Sequence, residues 1–269
     1  MNTWNDARPA ELPPLTFPQK LRGGLRLAVL LAVTALAFGL FLIGRALRHY
    51  LGKFVTFHFR VARMWSRAVL WLLGVRLRVR GGPISSGALV ANHSSWLDIP
   101  ALRAVRLIYF VSKAEVAAWP GVGAIARVVG TVFIERKRSE AKRQEEILRE
   151  RIAAEQVLCF FPEGTSTDGL RVLPFKSSLF SAFFYDNHGA ELLIQPVSIR
   201  YRVGQGSGLP ESFYGWWGEM GFGSHIWDVL CRSRRGVAEV TFHPPVKPGD
   251  LGDRKRLAEH CHQAVAGAF

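Results

Sequence analysis

Cysteines are few in this sequence and show no arrangement typical of metal sites or disulfide frameworks. Cys159, Cys231 and Cys261 are the only three among 269 residues. Their wide separation excludes paired zinc-ligand spacing and predicts a reducing compartment rather than an oxidising one. We therefore expect no metal site. We also expect Cys159, which lies in an apolar run, to be a small buried hydrophobe.

Acidic residues are also scarce. The chain has 21 Asp and Glu against 35 Lys and Arg, which gives a formal net charge of +14. A surface of this charge suits anionic lipid headgroups, acidic carrier proteins or nucleic acid. Nucleic acid is the least favoured partner, because the sequence has neither zinc-finger spacing nor the aromatic strand of an RNA-recognition domain.

Two common enzyme signatures are absent as well. The Gly-x-Ser-x-Gly string of serine hydrolases does not occur, and Gly164-Thr165-Ser166 lacks its spacing. The glycines at 121 and 123 imitate a dinucleotide-binding fingerprint, but they follow Trp119-Pro120 instead of a strand. The sequence therefore indicates neither a serine hydrolase nor a dinucleotide-dependent enzyme.

An uncharged apolar run of membrane length occurs once, from Leu27 to Gly44. Its length is at the lower limit for crossing the hydrocarbon core of a bilayer. The preceding residues 1–20 are rich in proline and predict an extended lead-in. Residues 54–75 predict an amphipathic helix lying in the membrane interface, with arginines at 60, 63 and 67 reaching lipid phosphates.

Three arrangements are open for residues 1–75. The first helix spans the membrane with its basic C-terminal flank in the cytoplasm, or both helices form a hairpin dipped into one leaflet, or a soluble protein buries both. The first two place the remaining domain, residues 76–269, against a membrane. We predict a membrane-associated or single-span protein at the cytoplasmic face of the inner cell membrane.

The rest of the chain alternates short apolar runs with helical patterns. We predict strands at 75–80, 87–92, 107–112, 129–135, 156–161, 191–201 and 237–243. We predict helices at 95–104, 120–128, 139–154, 176–186 and 253–266. This alternation predicts an α/β fold with a mostly parallel sheet flanked by helices. Residues 204–236, rich in glycine and aromatic residues, predict an insertion whose aromatic side chains form either an interfacial belt or a cluster over the sheet.

A histidine and a carboxylate lie five positions apart after one of these apolar runs. His93 follows the predicted strand 87–92, and Asp98 falls in the first turn of the next helix, so the bend brings their side chains together. An imidazole accepts a proton from an alcohol near neutral pH, and a carboxylate on its other nitrogen fixes the tautomer. The pair is therefore the base and orienter of a triad without a protein nucleophile, in which a substrate hydroxyl attacks an activated acyl group.

Three further blocks accompany this one in order along the chain. The four blocks are Asn92–Asp98, Thr131–Arg136, Phe161–Thr165 and Gln195–Ser198. Their residues and spacing resemble the four motif blocks of the glycerolipid acyltransferase family, which includes the lysophosphatidic acid acyltransferases. The resemblance covers roughly residues 85–200, with looser similarity to about residue 246.

The resemblance implies an enzyme that uses an acyl thioester, either acyl-ACP or acyl-CoA, and needs no metal or other cofactor. It implies that His93 is the general base and Asp98 its partner. The turn at Glu163-Gly164 would bind the glycerol region of the acceptor, and Lys113 and Arg136 would lie near its phosphate. With the adjoining Thr165 and Ser166, these residues are the candidate substrate-binding set.

One position departs from the family pattern. Many lysophosphatidic acid enzymes have an arginine after the Glu-Gly-Thr turn, where this chain has Ser166, and a hydroxyl does not replace a bidentate guanidinium. The continuation at 169–180 resembles the lyso-ornithine lipid acyltransferase branch, and Arg171 or Lys176 would supply the missing charge. We therefore expect lyso-ornithine lipid as the acceptor, with lysophosphatidic acid as the alternative or a second acceptor.

A function of another class remains as the rival hypothesis. A non-catalytic lipid-binding or scaffold protein on the same fold would explain the membrane-directed segment without any chemistry. It predicts that His93 and Asp98 are replaceable without consequence, whereas the acyltransferase hypothesis predicts that they are not.

Overall fold

The computed structural model describes residues 4–52, 56–119, 121–134, 141–184 and 192–269. In these residues the α-helices are α1 (Phe17–Leu51), α2 (Phe57–Leu72), α3 (Asp98–Val105), α4 (Val122–Val128), α5 (Ala141–Ala153), α6 (Phe222–Arg232), α7 (Pro248–Leu251) and α8 (Arg254–Ala266). The strands are β1 (Val75–Arg80), β2 (Gly87–Ala91), β3 (Tyr109–Lys113), β4 (Val132–Ile134), β5 (Val157–Phe160), β6 (Ile194–Arg202) and β7 (Gly236–Phe242). Short 3-10 helices cover Ala114–Ala118, Ser177–Phe183 and Glu211–Tyr214.

The seven strands form one sheet in the order β1-β7-β6-β2-β5-β3-β4. All neighbouring pairs are parallel except β6 and β7, which are antiparallel. β2 lies in the middle of the sheet and all of its residues are buried, as expected for a continuous apolar run in a parallel sheet covered on both faces. The predicted α/β fold with a mostly parallel sheet flanked by helices is therefore confirmed.

Each face of the sheet carries an apolar core. Successive residues of a strand point to opposite faces, so Leu89 of β2 joins one cluster and Val90 joins the other. Helices α2, α3 and α6 cover the first face, and α8 with the 3-10 segment Ser177–Phe183 covers the second. Packing on both faces fixes β2 and β5, the two strands that lead into the candidate site.

Helix α1 begins earlier than the sequence predicts. Its first residue, Phe17, lies inside the segment 1–20 that was expected to be extended. The Gln19 side chain accepts a hydrogen bond from the backbone N–H of Thr16 at 2.9 Å, as in a capping box, and stabilises this helix start. The extended lead-in therefore ends at Thr16.

Helix α2 matches the predicted amphipathic helix, but two of its arginines have partners within the protein. Arg63 and Arg67 each donate from Nε to the carbonyl oxygen of Ala104, at 3.3 and 3.0 Å. Ala104 is in the last turn of α3, where the helix dipole attracts cations. These two arginines therefore join α2 to α3, a role that differs from the predicted contact with lipid phosphates.

The region 204–236 contains a helix that the sequence analysis missed. α6 begins after Gly221 and packs beside α1, so closely that a Cβ added at Gly23 would overlap the sulfur of Cys231. The glycines around α6 hid its helical pattern, in which the buried positions are His225, Val229, Leu230, Cys231 and Arg232. The prediction of an α-helix at 176–186 also differs from the structure. The described part of that region forms the 3-10 segment Ser177–Phe183.

Candidate active site

The first and third motif blocks meet at the carboxyl ends of two central strands. β2 and β5 are parallel neighbours, with Val90 opposite Phe160, so the segments that follow their carboxyl ends lie side by side. The ring of His93, after β2, stacks on the ring of Phe161, after β5, with centroids 4.2 Å apart and planes 19° apart. The fold therefore brings together two blocks that are separated by about 70 residues in the sequence.

The side chains of His93 and Asp98 are in direct contact. His93 Nδ1 lies 2.7 Å from Asp98 Oδ2, and the histidine side chain is 23% exposed while the carboxylate is fully buried. The same carboxylate oxygen accepts hydrogen bonds from the backbone N–H groups of Ser94 and Ser95, both at 3.0 Å. These bonds fix the carboxylate, which in turn fixes the imidazole and leaves Nε2 for a substrate proton.

Two residues that the sequence analysis did not identify support this pair. Tyr201 of β6 donates from its hydroxyl to Asp98 Oδ1 at 2.8 Å, and burial raises the pKa of Tyr201, so the hydroxyl keeps its proton. The side chain of Asn92 accepts from the N–H of Ile199 at 2.8 Å and donates to its carbonyl at 2.9 Å. β6 therefore positions both ends of the turn that carries His93.

The Glu163 side chain points into the protein and not into the cavity. It is 1% exposed, and its two oxygens accept from the backbone N–H groups of His93, at 2.6 Å, and Leu173, at 2.9 Å. Burial raises the pKa of Glu163 to about 8, although both N–H donors act to lower it. The following Gly164 has φ +72°, a left-handed conformation that favours glycine and turns the chain back toward the cavity.

The remaining candidate residues divide into two groups. Lys113, Gly164, Thr165 and Ser166 line a cavity beside His93. Arg171 forms an ion pair with the buried Asp168, with 3.0 Å between Arg171 NH2 and Asp168 Oδ2, and it does not line this cavity. Lys176 is also absent from the cavity wall, and its backbone N–H donates to the carbonyl of Pro162. Arg136 lies outside the described residues.

The cavity beside His93 has a volume of about 250 Å³. The polar residues of its wall include His93, Lys113, Glu115, Thr165 and Ser166. The apolar residues of its wall include Ile134, Leu148, Leu158, Phe160, Leu179 and Phe183. Trp119, Trp216 and Trp217 form a further aromatic part of the wall. An imidazole at the border of an apolar cavity is suited to take a proton from a hydroxyl that enters together with a hydrocarbon chain.

The first residues of the extended segment 4–16 contact two residues that line this cavity. The N–H of Trp4 donates to Thr165 Oγ1 at 3.3 Å, and Trp217 Nε1 donates to the carbonyl of Ala7 at 2.8 Å. The guanidinium of Arg171 lies 5.1 Å from the centre of a Trp4 ring. The lead-in therefore packs against the outside of the cavity wall, a contact that the sequence analysis did not predict.

Among the residues that the structure describes, no three His, Cys, Asp or Glu side chains are grouped as metal ligands. The three cysteines are free and buried. The titratable pair in contact beside the cavity is the imidazole of His93 and the carboxylate of Asp98.

Comparison with known proteins identifies the fold and the family. The acyltransferase family matches residues 80–200 of this chain. The lyso-ornithine lipid O-acyltransferase of Rhodobacter capsulatus is 44% identical over 264 residues, which cover 97% of this chain and 94% of that protein. The 1-acyl-sn-glycerol-3-phosphate acyltransferase of Neisseria meningitidis is 31% identical over 86% of this chain and 89% of that protein.

A solved structure shows the same fold. The crystal structure of the 1-acyl-sn-glycerophosphate acyltransferase PlsC from Thermotoga maritima superposes with a TM-score of 0.65 at 23% identity, covering 93% of this chain and 95% of that one. The resemblance seen in the four motif blocks is therefore confirmed, and this chain belongs to the acyltransferase family.

Proposed function

We propose that this protein is a membrane-bound lysolipid O-acyltransferase that transfers a fatty acyl group from an acyl thioester to the hydroxyl of lyso-ornithine lipid. The observation that carries the proposal is the contact of 2.7 Å between His93 and the buried Asp98 beside a largely apolar cavity. The donor is acyl carrier protein or coenzyme A carrying the acyl chain. An acidic carrier is attracted to a chain with a net charge of +14.

The geometry supports direct transfer without a covalent enzyme intermediate. The acceptor hydroxyl gives its proton to His93 Nε2 while its oxygen attacks the thioester carbonyl carbon. The buried carboxylate of Asp98 stabilises the imidazolium that forms. When the tetrahedral intermediate collapses, the carbon–sulfur bond breaks and the thiolate takes the proton from the imidazolium, so the histidine returns to its starting state. The apolar residues of the cavity wall hold the acyl chain.

The charges around the cavity favour lyso-ornithine lipid over lysophosphatidic acid. At the turn, Ser166 is neutral and the nearby Arg171 is already paired with Asp168. Lys113 and Glu115 line the cavity with opposite charges. An ornithine headgroup carries an ammonium group that Glu115 would attract, whereas a phosphate monoester would be repelled by Glu115.

Substitution of Glu115 tests this acceptor assignment. Glu115→Gln should lower kcat/KM for lyso-ornithine lipid by about 5- to 10-fold, mainly through KM, because one partly exposed charge pair is lost. An analogue with an acetylated side-chain amine should not respond to the substitution. The matched control is Glu211→Gln, since Glu211 is likewise an exposed acid in the first turn of a 3-10 helix but lies outside the cavity. An equal loss with both acceptors would contradict the assignment.

The membrane arrangement that fits best is the hairpin within one leaflet. Near one end of the uncharged run, Arg26 donates to the carbonyls of Leu230 and Ser233, at 2.8 and 2.9 Å. At its other end, Arg45 donates to the carbonyl of Val128 at 3.0 Å. A helix joined to the protein at both ends of its apolar run does not cross a bilayer away from that protein. The exposed apolar residues of α1 therefore face acyl chains of one leaflet.

Labelling from one side of the membrane tests this arrangement. The native cysteines are buried, so cysteines introduced at the exposed positions Lys20 and His49 provide selective probes for the two ends of α1. In sealed vesicles an impermeant maleimide should modify both positions from the cytoplasmic side. Modification of the two positions from opposite sides would show a spanning helix.

Replacement of the histidine tests the catalytic proposal. His93→Ala should lower acylation of added lysolipid by about 10²- to 10⁴-fold at unchanged expression, because the general base is lost. The control is His260→Ala on the exposed face of α8, which should retain activity. Assays of lyso-ornithine lipid and lysophosphatidic acid side by side also measure the acceptor preference. Full activity of His93→Ala would favour the non-catalytic alternative.

A further inference from the structure

A second cavity lies at the opposite end of the sheet from His93. Tyr109, the first residue of β3, lines it, whereas Lys113, the last residue of that strand, lines the cavity beside His93. The second cavity has a volume of about 610 Å³ and lies between the C-terminal part of α1, the first turn of α2 and the end of α4. It therefore lies next to the two helices that we place in the membrane.

The wall of this cavity is strongly basic. It contains four arginines and no Asp or Glu among the described residues; the arginines are Arg45, Arg48, Arg127 and Arg151. Arg45 donates to the carbonyl of Val128, Arg127 to the carbonyl of Ala117, and Arg151 to the amide oxygen of Gln156, all neutral oxygens. A guanidinium has five N–H donors, so it can hold a neutral oxygen and an anion at the same time. Like charges around one cavity repel one another, and a bound anion would reduce this repulsion.

His58 lines the same wall and has a buried ring nitrogen without a partner among the described residues. His58 is 3% exposed, and its Nδ1 atom has no hydrogen-bond partner in the part of the chain that is described. Burial lowers the pKa of His58, and the charges of Arg48 and Arg45 lower it further. A buried ring nitrogen without a partner destabilises the ordering of this wall.

We propose that this cavity binds a phosphate-bearing anion, supplied by the headgroup of an anionic membrane lipid. The planar fork of a guanidinium matches the oxygens of a phosphate, and several arginines around one cavity are typical of phosphate recognition. The lipid is the favoured source because the hydrophobic residues adjoining the cavity in sequence are exposed: Tyr50 and Leu51 of α1 and Phe57 of α2. Their exposure places the cavity at the depth of the headgroups when α1 and α2 lie in the leaflet.

A headgroup in this position would act on the orientation of the whole enzyme. It would join α1, α2, α4 and β3 at the end of the sheet away from His93. The site is separate from the acceptor and donor sites, since none of its wall residues lines the cavity beside His93. Its occupation therefore fixes how the catalytic edge of the sheet faces the membrane and leaves the chemistry unchanged.

Arginine modification on the full-length wild-type protein tests the site directly. The protein in detergent micelles is treated with phenylglyoxal, and the modified arginines are identified by mass spectrometry. Phosphatidylglycerol in the micelles should slow the modification of Arg45 and Arg127 at least 5-fold and leave the exposed Arg254 unaffected. The second arm of the experiment repeats the modification with inorganic phosphate in place of phosphatidylglycerol. This experiment needs no substitution and therefore does not depend on the folding of a variant.

A matched pair of double variants provides the second measurement. Arg45→Gln with Arg127→Gln should weaken binding to vesicles of phosphatidylcholine and phosphatidylglycerol by about 10- to 30-fold, at roughly 1 kcal/mol for each charge. The control, Arg254→Gln with Lys255→Gln, removes the same charge from α8 and should weaken binding much less.

The outcomes separate the ligand sources. Protection by phosphatidylglycerol and not by inorganic phosphate supports a lipid headgroup. Protection by inorganic phosphate alone assigns a free anion and overturns the lipid source. Absence of protection in both arms, or equal loss of vesicle binding in the two double variants, overturns the site itself.

Discussion

The turns that follow β2 and β5 each place a buried acid next to His93, but the two acids act on different parts of that residue. Asp98 contacts the imidazole, whereas Glu163 accepts from the backbone N–H of the same histidine. Asp98 has four hydrogen-bonding partners around its two oxygens, and Glu163 has two. One acid therefore orients the ring, and the other fixes the main chain from which the ring extends.

The largest expected effect comes from Asp98, because its carboxylate acts directly on the imidazole. Asp98→Asn keeps the shape of the side chain but replaces one of its two acceptor oxygens with an NH2 donor. All four partners of Asp98 donate to it, so the new NH2 group would face donors. The wrong tautomer and the loss of charge should lower kcat by about 10²- to 10⁴-fold with little change in KM.

The control for this variant is Asp250→Asn, an exposed acid of α7. It should have wild-type kinetics. If Asp98→Asn kept its kcat while His93→Ala lost activity, the carboxylate would have only a structural role. The conclusion that Asp98 orients the imidazole ring for catalysis would then be wrong.

Glu163 should have a smaller effect on rate and a larger one on the pH dependence of stability. Burial raises its pKa from 4.5 to about 8, so between these values the folded protein keeps a proton that the unfolded chain releases. The stability of the wild type should therefore fall as pH rises through this window and then level off. Glu163→Gln removes this contribution, and it should destabilise by about 1–3 kcal/mol because Gln offers one oxygen to two N–H donors.

Thermal unfolding in detergent at several pH values measures this difference, and initial rates measure the effect on His93. We expect kcat to fall by about 10-fold, since a displaced backbone misplaces the imidazole. A rate loss as large as that of Asp98→Asn, with unchanged pH dependence of Tm, would contradict the positioning role and would favour contact of Glu163 with the substrate.

The smallest expected effect concerns Ser166, on the cavity side of the same turn. Ser166→Arg adds a half-exposed cation where a phosphate-bearing acceptor would lie. The ratio of activity with lysophosphatidic acid to that with lyso-ornithine lipid should rise by about 2- to 5-fold, the range of a partly exposed ion pair. An unchanged ratio would mean that the uncharged residue at 166 does not determine the acceptor.

The features that the sequence predicted are those that local pattern controls. The buried run of β2 and the turn after it were enough to predict that His93 and Asp98 meet. Tyr201 was not identified because its bond to Asp98 joins residues 103 positions apart, and no local signal marks that contact. The inward direction of Glu163 was missed for a related reason, because it depends on the N–H groups of His93 and Leu173 in other segments. Glycines around α6 obscured a helix whose stability comes from packing on α1.

The contact between Trp4 and Thr165 has a practical consequence for work with this enzyme. An affinity tag or fluorescent fusion ahead of Trp4 would be attached close to Thr165, which lines the cavity beside His93. Truncation before Phe17 would remove the contacts that Trp4 and Ala7 make with Thr165 and Trp217. Preparations that differ only in their first sixteen residues should therefore be assayed side by side before their rates are compared.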